Sequence, residues 1–235
     1  MGILFDVLSG SSRGPAFLPW VWELAAERAG LSTEDMAASA TELVAAIRQA
    51  TALVESDALV VLVADINSPS IEALERLAAA GDGHDRVAVI PGPATLALER
   101  GMDDPDDRDE ATEELARVVF EARAQVLVID EANPAPDTAA CFRTLSRMAA
   151  HYGARALAIA PPTNLFLVEA GLDAIDGGDA GAAPAGVAVA AAPMALATLG
   201  VLTTSWPCRS SDAEAMRAMA HSVRTERDRR HRNGA

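Results

Sequence analysis

Carboxylates stand at the ends of the apolar runs in this chain, and that placement is where its chemistry is sought. The stretch SDALVVLVADINSP, residues 56–69, is an apolar run that finishes on Asp65, and VLVIDEANP further on ends on Asp130 and Glu131. A strand buried on both faces has little room for an acid in its middle, but at its end a carboxylate can reach solvent or a ligand. Collected from all such ends, the polar groups are Glu23, Asp65, Asn67, Asp130, Glu131, Asn133 and Asp176. Carboxylates that share a partly apolar pocket repel one another. The pKa of at least one then rises toward the range useful for general acid–base catalysis. Asp65, assisted by Glu23 or Asp130, is the expected proton-transfer set. Asn67, Glu131, Asn133 and Asp176 are expected to contact a substrate, and Trp20, Trp22 and Trp206 to add an aromatic wall for a flat or apolar ligand. The competing reading makes the same acids helix caps and partners of arginines, and the tryptophans part of the core.

What the chain lacks narrows the chemistry further. It contains no lysine, so all 19 of its basic residues are arginine, which removes Schiff-base chemistry and a phosphate-loop lysine together. Its histidines, His84, His151, His221 and His231, fall away from the strand ends, so no metal is expected. Cys141 and Cys208 are too few for a disulfide framework and are read as free thiols. A net charge of -15 argues against non-specific nucleic-acid binding. The one basic run, RTERDRRHRNGA, reads as a frayed tail over 226–235, and 1–12 as an N-terminal arm. Asp103, Asp104 and Asp107 in MDDPDDRDE have a spacing that would suit Mg2+ and a diphosphate. Pro105 interrupts it, and the better reading is an acidic loop placing negative charge at the start of the next helix.

The elements that must position these groups follow from periodicity. Apolar runs at 16–21, 58–64, 87–90, 126–129, 156–160, 172–175, 187–191 and 201–205 read as strands. Helical periods lie between them, most clearly at 33–55, 70–80, 108–124, 138–152 and 212–230. Ser32, Ser68 and Ser210 are placed to cap helix starts, and Gly30, Gly81 and Gly153 to end helices. Eight parallel strands in a chain of 235 residues describe one compact (β/α)8 barrel, with the sixth helix reduced at GGDAGAAPAG, 177–186. An open doubly wound sheet is the alternative, without a GxGxxG after the first strand. The absence of a long apolar stretch or a basic leader points to a cytoplasmic protein without a membrane span.

Four segments, RGPAFLPWVWELAAERAGLS, SDALVVLVADI, PGPATLA at 91–97 and VIDEANP at 128–134, together resemble the uroporphyrinogen decarboxylase superfamily, which also holds corrinoid-dependent and cobalamin-independent methyltransferases. The resemblance implies a (β/α)8 barrel with its site at the C-terminal mouth. It matches Asp65 to the decarboxylase aspartate that handles pyrrole nitrogens and developing charge. Two departures accompany it. The arginine-rich clamp for substrate carboxylates is replaced by WVWELAAERAG, with Arg28 too far along a helix to substitute. The zinc-binding His-x-Cys pair of the methyltransferase branch is replaced by ALAIAPP, leaving Cys208 alone. The expectation is therefore a metal-independent, cofactor-free lyase acting on a small organic or aromatic acid. The alternatives are a catalytically degenerate ligand-binding or partner subunit, and Mg-dependent diphosphate chemistry at DDPDD. A symmetric homodimer is the expected assembly.

Overall fold

The structure, a computed structural model, describes residues 2–9, 11, 15–131, 138–160, 173–176, 201–203 and 213–233. Seven parallel strands lie among them: β1 (Ala16–Leu18), β2 (Ala58–Leu62), β3 (Asp85–Pro91), β4 (Val126–Asp130), β5 (Arg155–Ala160), β6 (Asp173–Asp176) and β7 (Val201–Thr203). Strands β2 to β6 stand side by side in chain order, and β1 pairs with β7, so the first strand neighbours the last one described. The register is unbroken across the middle of the sheet, with Val60 opposite Val87 and Val87 opposite Val126. Continuous burial explains the runs that encode them. Leu59, Val60, Val61, Val87, Ala88, Ile90, Val126, Leu127, Val128 and Ile129 are all buried, as expected where both faces of a parallel sheet are covered. This is an α/β architecture of parallel strands and helices. The strand expected over 187–191 and the reduced helix over 177–186 lie outside the described residues.

The helices are α1 (Ile3–Leu8), α2 (Trp22–Ala29), α3 (Thr33–Ala37), α4 (Ala40–Val54), α5 (Pro69–Ala80), α6 (Pro93–Arg100), α7 (Pro105–Glu121), α8 (Ala139–His151) and α9 (Ala213–Asn233). The helix expected over 33–55 is divided, because Ser39 takes an extended conformation and starts α4 by accepting from the Glu42 amide. Ser68 caps α5 ahead of Pro69, and Asp104 caps α7 ahead of Pro105 by accepting from the Asp106 amide at 2.9 Å. The acidic stretch at 103–107 thus launches α7, with Asp106 and Asp107 in its first turn. Among the described residues no three Asp, Glu, His or Cys side chains come together to hold a metal. None of the described helices is long and apolar enough to cross a membrane.

Both chain ends are more ordered than the sequence implies. The arm contains α1, whose Leu4, Phe5 and Val7 are buried, and its amides are held by a carboxylate 80 residues away. Asp85, fully buried at the start of β3, accepts from the Gly2 and Phe5 amides at 2.8 Å each. The segment read as a fraying tail from 226 continues as helix to Asn233. Its buried positions, Ala213, Met216, Ala220, Val223 and Arg227, repeat at intervals of three and four and form one stripe. Arg227 is the exception in kind: a guanidinium occupies a place that periodicity assigns to an apolar side chain.

Burial lifts the Asp85 carboxyl above the usual carboxylate range, while the Phe5 and Gly2 amides draw it partly back. Asp85→Asn keeps one acceptor but turns an amide NH2 toward a backbone donor, so it is expected to cost about 1–3 kcal/mol in urea unfolding. Because the folded pKa lies above the unfolded one, the stability Asp85 contributes is full below the unfolded pKa and is lost as pH rises through the folded pKa. The difference between wild type and Asp85→Asn should therefore shrink as pH rises through that window. A difference that grows would contradict this account.

Candidate active site at the strand ends

Alternation along the strands sorts their side chains onto two faces. On β3 the side chains of Asp85, Val87, Val89 and Pro91 share one face, and on β4 the register places Val126, Val128 and Asp130 on the same one. Because Asp85 holds α1, this is the face that α1 covers at its base. The opposite face carries Ala88 and Ile90 on β3 and Leu127 and Ile129 on β4. Asp130 is the last residue of β4, and Glu131 follows it outside the ladder.

Glu131 is almost wholly buried, at 1% exposure, and its carboxylate sits at the N-terminus of α6. Oε2 accepts from the Ala94 amide at 2.7 Å and Oε1 lies 3.3 Å from Thr95 Oγ1. A negative charge here meets the unpaired amides of the first helical turn and the positive end of the helix dipole. Thr95 Oγ1 is also 3.1 Å from the Asp130 carbonyl, so its one proton is shared between two acceptors. The Gly92 amide donates to the same carbonyl at 2.8 Å. Glycine is required at 92 by space, since a Cβ there would lie 2.6 Å from Glu131 Oε2 and 2.7 Å from its Cβ.

Asp130 has a different environment. Its carboxyl, on the last residue of β4, has no hydrogen-bond or ionic partner among the described residues, and its pKa is raised by burial first and by the negative charge of Glu99 second. The side chain still reaches solvent, so the burial is that of a group partly stripped of water at a rim. A carboxyl that is both accessible and biased toward its protonated form is placed to donate a proton.

Asp65 is occupied by local structure. Oδ1 accepts from the Asn67 amide at 2.8 Å, closing the turn after β2, and Oδ2 lies 3.3 Å from Arg100 Nη2 on α6. The same Arg100 nitrogen donates to the Ala64 carbonyl at 2.7 Å. Both side chains of this pair are open to water, which makes the attraction weak and the turn the firmer role. Asn67 is exposed beside it. Glu23 is half-buried in the first turn of α2, not at a strand end as expected, because the first strand stops at Leu18. Trp20 and Trp22 are buried in the hydrophobic core. Asp176 closes β6 opposite Ala160. Asn133, Trp206 and Cys208 lie outside the described residues.

What brings Asp65, Asp130 and Glu131 together is α6, which the sequence reading passed over. It bonds Glu131 through Ala94 and Thr95, reaches Asp65 through Arg100, and places Glu99 where its charge acts on Asp130. Its signals were present: Pro93 in the first turn and Gly101 at φ 66° as the left-handed stop. Cys141, on α8, is buried, and burial together with Asp109, Glu113 and Glu131 drives its thiol far above the usual range, so it is no nucleophile.

The fold is similar to that of a methyltransferase from Methanosarcina mazei, with a TM-score of 0.54 at 12% identity over 71% of each chain. At that identity the likeness is one of fold. No family model matches the sequence, and no curated protein does.

The close approach of Gly92 to Glu131 makes a specific demand. Gly92→Ala has no conformational penalty, since φ is -73°. It must nonetheless displace Glu131 or α6, at an expected cost of about 1–3 kcal/mol. Thermal unfolding of Gly92→Ala in the wild-type and Glu131→Gly backgrounds checks the cause, because removing the Glu131 side chain from its Cβ onward should relieve most of the steric part. Equal steric cost in both backgrounds would exclude it.

Proposed function

We propose that the chain is a barrel enzyme of the uroporphyrinogen decarboxylase-like superfamily, acting on a small organic or aromatic acid by proton transfer at the C-terminal mouth. On this reading the strand inferred over 187–191 stands between β6 and β7 and closes the ring, as the adjacency of β1 and β7 supports. The observation that carries the reading is Asp130: a carboxyl at the end of a parallel strand, accessible, without a partner among the described residues, and biased toward its protonated form. When a carboxylate substrate loses CO2, the electron pair left on carbon needs a proton, and a neutral Asp130 supplies it. Asp130 returns as a carboxylate and regains the proton from solvent.

The other end groups take supporting parts. Asp65 and Arg100 fix the rim beside the turn at 65–68, Glu131 anchors α6, and reduced hydration, aided by the charge of Glu99, biases Asp130 toward its protonated form. Glu23, Asn67, Asn133, Asp176 and Trp206 complete the substrate surface in this proposal, while Trp20 and Trp22 belong to the core beneath it. A second reading, a ligand-binding or partner subunit without turnover, is favoured by the missing arginine clamp and the missing His-x-Cys pair. Both readings place a small-molecule ligand at the mouth of a cytoplasmic, dimeric barrel.

The deciding measurement is CO2 release from a panel of small aromatic and aliphatic acids, with Asp130→Asn and Asp65→Asn alongside the wild type. Loss of at least about 100-fold in Asp130→Asn, with Asp65→Asn within a few-fold, is the expected pattern. Because the acid form of Asp130 is the working one, the rate should fall as pH rises through its raised pKa. Binding of an acid without CO2 release would favour the subunit reading. Turnover that survives Asp130→Asn would remove Asp130 from the mechanism.

A further inference from the structure

Strands β1 and β2 share no ladder of backbone rungs. Their junction is made instead at the base of β2, where the Asp57 amide donates to the Phe17 carbonyl at 3.0 Å and the Phe17 amide donates to Asp57 Oδ2 at 2.8 Å. Ser56 Oγ reaches the same carbonyl at 3.5 Å and the Ala58 carbonyl at 2.8 Å. One side chain therefore stands in for a strand rung, and that side chain is a carboxylate shielded from water. Its charge is matched by Arg227 of α9, whose Nη2 lies 2.9 Å from Oδ2 and Nη1 3.3 Å from Oδ1. The pair is buried, with side-chain exposures of 6% for Asp57 and 10% for Arg227. One turn earlier on α9, Arg224 pairs with Glu55 and donates to its carbonyl at 2.9 Å.

We propose that α9 is a staple across the β1–β2 seam. When it lifts, Asp57 is left as an unpaired buried charge, and β1 is released together with α9 while the β2–β5 sheet stays closed. The residues that follow β1, Trp20 and Trp22 of the core and Glu23 of α2, are thereby positioned from the base of the strands.

Three features support a joint release over a local loosening. At the seam one backbone bond and the side chains of Asp57 and Ser56 take the place of a ladder, whereas β2–β3, β3–β4 and β4–β5 each have a five-residue register. Arg227 bonds the carboxylate that in turn accepts from the Phe17 amide, and α9 also packs directly against β1, so the two elements are tied both by that charge and by contact. The Arg227 Nε is buried without a hydrogen-bond partner among the described residues, so among them the bidentate contact with Asp57 is what holds the guanidinium. Removing one partner of a buried pair is far more damaging than removing both.

Hydrogen exchange on the intact chain tests this. In the wild type under low urea, the amides of 16–18 and of 216–227 should exchange with one rate and one urea dependence, at least about 10-fold faster than Ile90 and Val128. Arg227→Met should speed both segments together, again by about 10-fold or more, and leave Ile90 and Val128 unchanged. Asp57→Asn/Arg227→Met should be slower to exchange than Arg227→Met, because no charge is left stranded. Faster exchange confined to α9 in Arg227→Met, with 16–18 unmoved, would overturn the proposal. Should Arg227→Met fail to fold, the wild-type profile decides: separate exchange of β1 and α9, or exchange of both at the rate of β3 and β4, overturns it as well.

Discussion

A parallel sheet covered on both faces leaves no place along its strands for an unpaired polar group, and this constraint organises the molecule. Each strand can carry charge only where it begins and where it stops. At the beginnings, Asp57, Asp85 and Arg155 are all engaged in holding something else: a neighbouring strand and α9, the amides of α1, and Ser9 together with the ring of Phe5. At the ends, the groups divide. Glu131 and Asp65 are taken up by a helix start and a turn, and Asp130 is left facing an open rim.

The contrast between Asp130 and Glu131 shows how one peptide step separates structure from chemistry. Both are acids. Glu131 is buried and holds the first amides of α6. Asp130 finds reduced hydration and the charge of Glu99, which disfavour its charged form. One carboxyl is committed to the scaffold and the other keeps no partner among the described residues, and such separation allows two acids to take two roles.

How much of this was legible in the sequence depends on the range of the interaction involved. Strands β2 to β5 could be read because their burial is encoded residue by residue as Val, Leu, Ile and Ala. The capping of Asp65 and Asp104 could be read as a competing possibility, since both bonds close within two residues. Helix α6 was missed because eight residues give too little period to register, although Pro93 and Gly101 bracket it. The ordered arm and tail were missed for a different reason. Asp85 and Arg227 are charged residues that satisfy partners 80 and 170 positions away, and local pattern carries no trace of such distances. Glu99 acts on Asp130 in the same way, through a proximity that only folding creates.

The span between Asp57 and Arg227 also bears on the order of assembly. A contact that links residues 170 apart is formed only after most of the intervening chain has been drawn in, and its loop-closure entropy is met late. Strands β2 to β5, joined to their neighbours through one or two intervening helices, can condense before it. Until α9 docks, β1 has little to hold it against β2, and its edge stays open to pairing with another chain. A contact that forms late thus shields this edge, which places a risk of misassembly in the interval before α9 docks.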